Sequence, residues 1–255
     1  MVDGEQVAAY LRRIGHPPVP RPGLEELASL QDAHVRSVPF ENLDIHLGVP
    51  LSLEIPALFD KVVRRRRGGF CFELNGLFAT LLDALGYPVY LVEARTLEED
   101  GGLGPRFDHA RIIVDLADEP WLVDVGTGAS PRGPIRLTDE DQRVGHVRHR
   151  VRRQDDRYRS ERFDGEIWAP GWVFDLVPRA LGEFSDRCHY HQTSPESHFT
   201  QKPLCTLVTE DGHLTLSDRT LITTRGGHRS EEEVTDPLAV LLARFGVEVP
   251  HWPGS

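Results

Sequence analysis

Cys71 is the residue in this sequence whose type and position most readily do chemistry. It stands in Arg67-Gly68-Gly69-Phe70-Cys71-Phe72-Glu73-Leu74-Asn75, where two glycines lead the chain into an apolar stretch of helical period. A thiol in the first turn of a helix meets unpaired backbone N–H groups and the positive end of the helix dipole, and both favour a thiolate. Cysteine is also a common small buried residue, so position alone leaves both readings open. A nucleophilic thiol needs a base, and the base needs a group to orient it. The chain holds 12 histidines, so a single one carries little weight. His109 differs in standing at the mouth of the apolar run Ala110-Arg111-Ile112-Ile113-Val114, just after a polar, glycine-rich loop. Asp124 ends the next run, Trp121-Leu122-Val123, and precedes Gly126. If the two runs pair as a hairpin across Asp115–Pro120, His109 and Asp124 come together. Taken singly, they are a strand-end histidine and a turn acid. With Cys71 they make a candidate triad for nucleophilic catalysis by a thiol.

Elements of two kinds must position these groups. Asp3 reads as the N-cap of a helix with Val7, Leu11 and Ile14 on one face, closed by Gly15. A second helix uses Leu24, Leu27 and Leu30 and ends near Ser37, ahead of Pro39. A third runs from Pro56 through Leu58, Phe59, Val62 and Val63. The fourth carries the cysteine at its start; Leu74, Leu77, Phe78, Leu81, Leu82 and Leu85 recur at helical spacing until Gly86 and Tyr87-Pro88 stop it. The pattern then changes. Val89–Arg95, Ala110–Leu116 and Trp121–Val125 are short apolar runs that read as strands, separated by the loop Glu99–Arg106 and followed by the Gly/Pro-rich Gly126–Pro134. Val144–Val151 and parts of Ile167–Leu176 alternate, which suggests an antiparallel sheet or small barrel. Asp211-Gly212 between Cys205–Glu210 and His213–Ser217 predicts a hairpin. Asp236-Pro237 opens a last helix with Leu238, Leu241, Leu242 and Phe245, closed by Gly246. Helices first and strands later describe an α+β chain rather than an alternating one.

Composition removes several function classes. The 255 residues include 40 acidic and 29 basic side chains, a net charge of -11, which argues against a nucleic-acid partner. No stretch approaches the ~20 apolar residues of a membrane span, so no membrane partner is expected. The first residues lack the basic and apolar regions of a signal peptide, and 3 cysteines cannot all pair. Both features point to a reducing, cytoplasmic setting. Cys188-His189-Tyr190-His191 has the residue types of a metal site but no second half, and no metal is expected. Arg64–Arg67 reads as a solvated run or a favourable contact with a helix end. Gly126–Gly133 lacks the Gly-Lys-[Ser/Thr] ending of a phosphate loop, so it is either a substrate loop or a plain turn.

Several segments together resemble the arylamine N-acetyltransferases. They are Val38-Pro39-Phe40-Glu41-Asn42-Leu43-Asp44-Ile45, Arg67–Asn75, Asp108-His109-Ala110, Asp124-Val125-Gly126 and Ser194-Pro195-Glu196-Ser197-His198-Phe199. The resemblance runs in order over most of the chain, and the order Cys…His…Asp parallels the Cys…His…Asn of papain-like enzymes. It implies three parts: a helical bundle over residues 1–87, a β-barrel over 88–180 and an α/β lid over 181–255, with a papain-like cysteine-triad core. It implies Cys71 as the acyl-carrying nucleophile, His109 as its base and Asp124 as the orienting carboxylate, with Phe70, Gly126 and Thr127 contacting substrate. The reaction implied is ping-pong transfer of acetyl from acetyl-CoA, a co-substrate rather than a bound cofactor, to an arylamine, hydrazine or N-hydroxyarylamine. In that scheme Cys71 is held as a thiolate beside protonated His109. Glu41 and Arg67 match family positions and are expected to pair. Thr127 stands where family members often carry an aromatic residue, which would reshape the acceptor pocket. An amide synthase that closes a macrolactam on a chain borne by an acyl carrier protein would use the same triad and is the alternative reading.

Overall fold

The structure, a computed structural model, describes residues 2–98, 101–163 and 165–252. Glu99 and Asp100, the start of the expected loop Glu99–Arg106, lie outside the described residues. The chain opens on α1 (Gly4–Ile14), where the Asp3 carboxylate accepts the Gln6 N–H at 2.8 Å and Gln6 Oε1 accepts the Asp3 N–H at 2.9 Å. There follow α2 (Leu24–Ser37), the short β1 (Phe40–Glu41), α3 (Leu43–His46) and α4 (Ile55–Phe59), which continues into a wider π turn over Asp60–Arg64. The fourth expected helix is α5 (Cys71–Ala84). Its residues from Cys71 to Phe78 are all buried, so it forms the axis around which α1, α2 and the first sheet pack.

Eight strands follow: β2 (Val89–Thr96), β3 (His109–Leu116), β4 (Glu119–Val123), β5 (Ile135–Arg136), β6 (Gln142–Val144), β7 (Val147–Gln154), β8 (Arg157–Phe163) and β9 (Trp168–Phe174). They form one antiparallel sheet in the order β5-β4-β3-β2-β9-β8-β7-β6. Its two edges approach each other. The Gln142 side chain bonds both the N–H and the C=O of Arg136 at 2.8 Å, so the sheet nearly closes into a barrel. Beyond it come α6 (Ser185–Thr193), β10 (Leu204–Val208), β11 (Gly212–Ser217), β12 (Thr220–Arg225), β13 (His228–Glu233) and α7 (Pro237–Val240), which runs on through a π turn over Leu241–Phe245 to Gly246. A second sheet, β1-β10-β11-β12-β13, includes the early strand β1, with Phe40 opposite Thr206. The α+β class and the helices-then-strands order hold.

Three expectations change in detail. Val144–Val151 is not one strand, because Gly145 at φ 63 turns the chain between β6 and β7. The strand β8 was not foreseen, since Arg157, Arg159, Glu161 and Arg162 hide any apolar alternation; Glu161 is buried there because Arg150, Arg152 and Arg159 surround it. The predicted Asp211-Gly212 hairpin exists, but Val208 lies opposite His213 and the Thr209 N–H bonds the Gly212 carbonyl. Its turn is therefore centred on Glu210 and Asp211, one residue earlier than the dipeptide suggests.

Candidate active site

Cys71 is the first residue of α5, and the two preceding glycines explain how it arrives there. At Gly68 an added Cβ would lie 2.0 Å from the Pro39 carbonyl oxygen, so only glycine lets this segment run against β1. Lys61 Nζ then anchors Glu73 and Asp44 at 2.8 Å each, while Arg67 binds Glu41 and Asp44 at 2.8 Å. The expected Glu41–Arg67 pair is thus part of a larger buried network that braces the entry to α5. Glu73 Oε2 also accepts the Phe70 N–H at 3.1 Å, one turn from the thiol.

His109 and Asp124 meet through a hairpin. Ala117 and Asp118 at φ 51 and 64 make a two-residue turn between β3 and β4, and the register sets Ile112 opposite Val123. One step on, the residue opposite Asp124 is Arg111; His109 lies two residues further along the same face. Asp124 Oδ2 accepts from His109 Nε2 at 2.8 Å and from Arg111 Nε at 2.9 Å. Its Oδ1 accepts from Asn75 Nδ2 at 3.0 Å and from the Gly126 N–H at 2.9 Å. An ionised carboxylate is acceptor-only, so Nε2 of His109 carries its hydrogen and Nδ1 is the free ring nitrogen. The imidazole is stacked on Trp172 at 4.5 Å, which fixes its plane. Cys71 packs in a buried cluster with Ala110, the neighbour of His109, and backbone groups of Ala110 and Phe72 hydrogen-bond to its thiol.

The electrostatics of the three groups are unequal. Burial alone would raise the Asp124 carboxyl, but His109, Arg111 and Asn75 outweigh it and hold it far below the usual carboxylate range. Burial pushes the Cys71 thiol well up, and the carboxylates of Asp124 and Asp108 push the same way; the hydrogen bonds from Ala110 and Phe72 only partly oppose them. At this thiol the helix start and the two backbone hydrogen bonds are thus opposed by burial and by two nearby carboxylates.

The structure brings Cys71, His109 and Asp124 together with two of the three expected substrate residues. Gly126 is buried directly over the helix start, where an added Cβ would lie 2.5 Å from Asn75 Nδ2 and 2.8 Å from Cys71 Cα. Phe70 is buried among Phe72 at 5.2 Å and Phe199 at 5.5 Å, beside the cysteine. Thr127 lies further out, half-buried, its Oγ1 3.0 Å from Ser130 Oγ. Of Arg64–Arg67, the first three are exposed and Arg67 alone is buried. Cys188 and His191 are buried while His189 is exposed, and His191 serves Asp108 at 3.3 Å and Ser197 at 3.0 Å.

Three residues of the site escaped the sequence reading. Asn75 was quoted only as part of a segment, yet its amide bonds Asp124, the Ala110 carbonyl at 2.7 Å and the Val125 N–H at 2.9 Å, clamping α5 to both strands. Helical spacing offered a signal, since residue 75 lies one turn beyond Cys71. Arg111 could have been found by counting outward from a two-residue turn at Ala117-Asp118. Trp172 could not, because β9 reaches His109 across β2, and that neighbour relation is tertiary.

With this geometry described, comparison with known proteins adds the following. The profile of a family described as N-acetyltransferase matches residues 23–252. The arylamine N-acetyltransferase of Mycolicibacterium smegmatis is 36% identical over 259 residues, covering 97% of this chain and 94% of that protein. The solved arylamine N-acetyltransferase of Salmonella typhimurium superposes with a TM-score of 0.91 at 31% identity, over 99% of this chain and 95% of that one. The Mycobacterium marinum arylamine N-acetyltransferase, solved in complex with CoA, superposes with a TM-score of 0.87 at 31% identity, over 94% and 92% of the two chains.

Proposed function

The chain belongs to the arylamine N-acetyltransferase family, and from that premise we propose how its own residues carry out acetyl transfer from acetyl-CoA to an arylamine, hydrazine or N-hydroxyarylamine. Cys71 is the nucleophile. Its thiol attacks the thioester carbonyl as His109 Nδ1 takes the proton, and the Cys71 N–H at the helix start faces the developing oxyanion. Collapse breaks the C–S bond to CoA, and His109 returns the proton to the departing thiolate. The amine then attacks the acetyl-cysteine, His109 accepts its proton, and Cys71 leaves protonated with the amide formed. Asp124 keeps the Nε2–H tautomer and stabilises the transient imidazolium. The single observation that carries this reading is the Asp124 carboxylate filled by His109, Arg111, Asn75 and Gly126, set against a buried thiol at the start of α5.

Acetyl-CoA enters by a cleft of about 640 Å³ between the two sheets, bordered by Ala129 and Ser130 of the turn after Asp124. In a chain of net charge -11 this cleft is basic, lined by Arg132, Arg143, Arg148 and Arg162 with His146, His149 and His213. Asp32 neutralises Arg132 and Asp141 neutralises Arg148, but among the described residues no carboxylate pairs with Arg143 or Arg162. His149 Nε2 is buried there without a partner. Two free guanidiniums and an unmet ring nitrogen suit the phosphates of CoA. Phe70, Gly126 and Thr127 contact the acyl group or the acceptor. The division into a bundle (1–87), a barrel (88–180) and a lid (181–255) suits this assignment, with the thiol on the first part and the base and acid on the second. The free cysteines Cys71, Cys188 and Cys205 support a cytoplasmic setting, and no described helix is long and apolar enough to cross a membrane. The amide-synthase alternative gains no observation of its own.

Intact mass decides the central claim. Acetyl-CoA alone should add one acetyl group to the protein, and a later arylamine should remove it. Cys71→Ser should abolish labelling, whereas Cys188→Ser and Cys205→Ser should retain it. Persistent labelling of Cys71→Ser would overturn the assignment.

A further inference from the structure

Among the described residues, one sheet edge is left open. Gln142 of β6 bonds the Arg136 backbone of β5, so the two edges of the first sheet meet each other. In the second sheet β1 is held at the entry to α5, where Phe40 bridges to Gly69 and the Glu41 N–H bonds the Gly69 carbonyl at 2.9 Å. The opposite edge is β13, and each of its residues from His228 to Glu233 is exposed. Such an edge presents backbone N–H and C=O groups that another strand can complete.

The β12–β13 hairpin fixes which groups are open. Gly226 and Gly227, at φ 54 and 83, make a two-residue turn between Arg225 and His228. Further along, the Val234 N–H bonds the Arg219 carbonyl at 2.8 Å, so the even-numbered residues of β13 direct their backbone groups to β12. Arg229, Glu231 and Glu233 direct theirs outward. An antiparallel partner has to set these outward residues opposite outward residues of its own. For a second copy of β13, the order of charges then selects the register. Placing Ser230 opposite Ser230 sets Arg229 against Glu231 at two hydrogen-bonded positions, and His228 against Glu232 at two others. Sliding the pairing one way puts Arg229 against Arg229; sliding it the other way puts Glu231 against Glu231. Within one copy Arg229 Nη2 reaches Glu231 Oε1 at 2.6 Å, yet the two side chains remain 62% and 54% exposed, on one face and open to a neighbour.

We propose that β13 is a self-docking edge, on which two copies of this chain pair antiparallel about Ser230 and join their second sheets into one. Opposite charges facing each other across strands favour pairing and like charges disfavour it, so a single register survives. Charges that only guard an edge against pairing need no such order. The two-fold axis consumes both open edges at once, which gives a closed dimer and not a fibre. A strand edge buries less than the roughly 1,200 Å² of a small stable interface, so the association is weak and reversible. The net charge of -11 on each copy opposes it at long range. At physiological ionic strength that repulsion is screened beyond about 8 Å, whereas the facing pairs lie in contact.

Sedimentation velocity of the full chain tests this, at about 0.15 M salt and over protein concentrations of about 1–500 µM, the range that a small interface calls for. Monomer should give way to dimer as concentration rises. Arg229→Glu and Glu231→Arg should each weaken the association by about tenfold or more, since each sets like charges opposite at two positions. An equimolar mixture of these two variants should associate again, because each strand then faces its opposite charge. The double variant, Arg229→Glu with Glu231→Arg, should associate within about threefold of the wild type for the same reason. Glu231→Pro removes an outward N–H while leaving the bonds to β12 in place, and it should also prevent pairing. Circular dichroism of every variant checks that the fold is kept; should a reversal fail to fold, Arg229→Gln should weaken association in its place. A wild type that stays monomeric at every concentration would overturn the proposal. So would a dimer indifferent to both reversals, which forms through another face. Reversals that weaken association without recovery in the mixture or in the double variant count against it equally, since they report net charge and not facing pairs.

Discussion

Thr127 is engaged by Ser130 on two sides, through the Thr127 N–H at 3.0 Å and through its hydroxyl at 3.0 Å. The hydroxyl therefore completes a small polar turn instead of offering a ring to a flat acceptor. Replacing it by an aromatic residue removes one hydrogen bond and supplies stacking area, about 0.5–1.5 kcal/mol for a well-placed ring. Thr127→Phe should improve transfer to a small aniline by up to about tenfold while excluding a bulky aminonaphthol. The quantity to compare is the ratio of kcat/KM for the two amines, before and after substitution. An unchanged ratio would place Thr127 outside the acceptor pocket. At this scale the sequence was informative about Cys71, His109 and Asp124 because each stands at the end of a recognisable element. It was silent about Trp172, whose ring lies against His109 only because β9 pairs with β2.

Among the elements, α1, α2 and α5 meet around His34, which is fully buried between the rings of Tyr10 at 5.9 Å and Phe78 at 4.9 Å. Neither of its ring nitrogens has a hydrogen-bond partner, and burial lowers it from 6.5 to about 3. Because the unfolded chain takes up this proton at a higher pH than the folded one, the bundle is most stable above the unfolded value. Stability is lost as pH falls through that value toward about 3. The loss should approach 1.4 kcal/mol per pH unit below the unfolded value, so urea melts at about pH 7 and about pH 5 should differ by roughly 2 kcal/mol from this residue. His149, lowered to about 4, adds a similar slope. In His34→Phe the first contribution should vanish. Equal pH dependence in both proteins would mean that His34 gains a proton in the folded state. Helix limits were legible from Asp3, Gly15, Gly86 and Gly246, since capping is local chemistry.

The molecule as a whole sets a basic cleft into an acidic surface, and this depends on both sheets: Arg143 and Arg162 come from the first, His213 and Thr224 from the second. If the cleft holds the nucleotide end of CoA, Arg143→Glu with Arg162→Glu should raise the KM for acetyl-CoA by about tenfold or more while kcat holds, because the contacts persist equally in ground and transition states. A short acetyl thioester without phosphates should be turned over unchanged by the double variant. Steady-state kinetics with both donors checks this. Loss of both activities together would indicate damage to the fold, and no change in either would remove the cleft from acetyl-CoA binding.

The sequence by itself determined the helices α1, α2, α4, α5 and α7, most of the first sheet and the α+β class, and it singled out Cys71, His109 and Asp124 as the candidate thiol, imidazole and carboxylate. Each of these is written in short-range terms: periodicity, caps, turn residues and a strand-end position. Tertiary structure alone decided how the charges are shared. The Lys61–Asp44–Glu73 links, the Arg111–Asp124 bond and the burial that raises Cys71 join residues from separate elements, and no local pattern encodes the dielectric of the place where they meet. The polar strand β8 and the edge strand β13 were hidden for a related reason. The pairing of β8 is supported by ion pairs around Glu161, and β13 is exposed along its length, so neither shows the apolar alternation by which strands are read. A sequence names the groups that can react; the packing of strands against a helix start determines which charges and hydrogen bonds surround them.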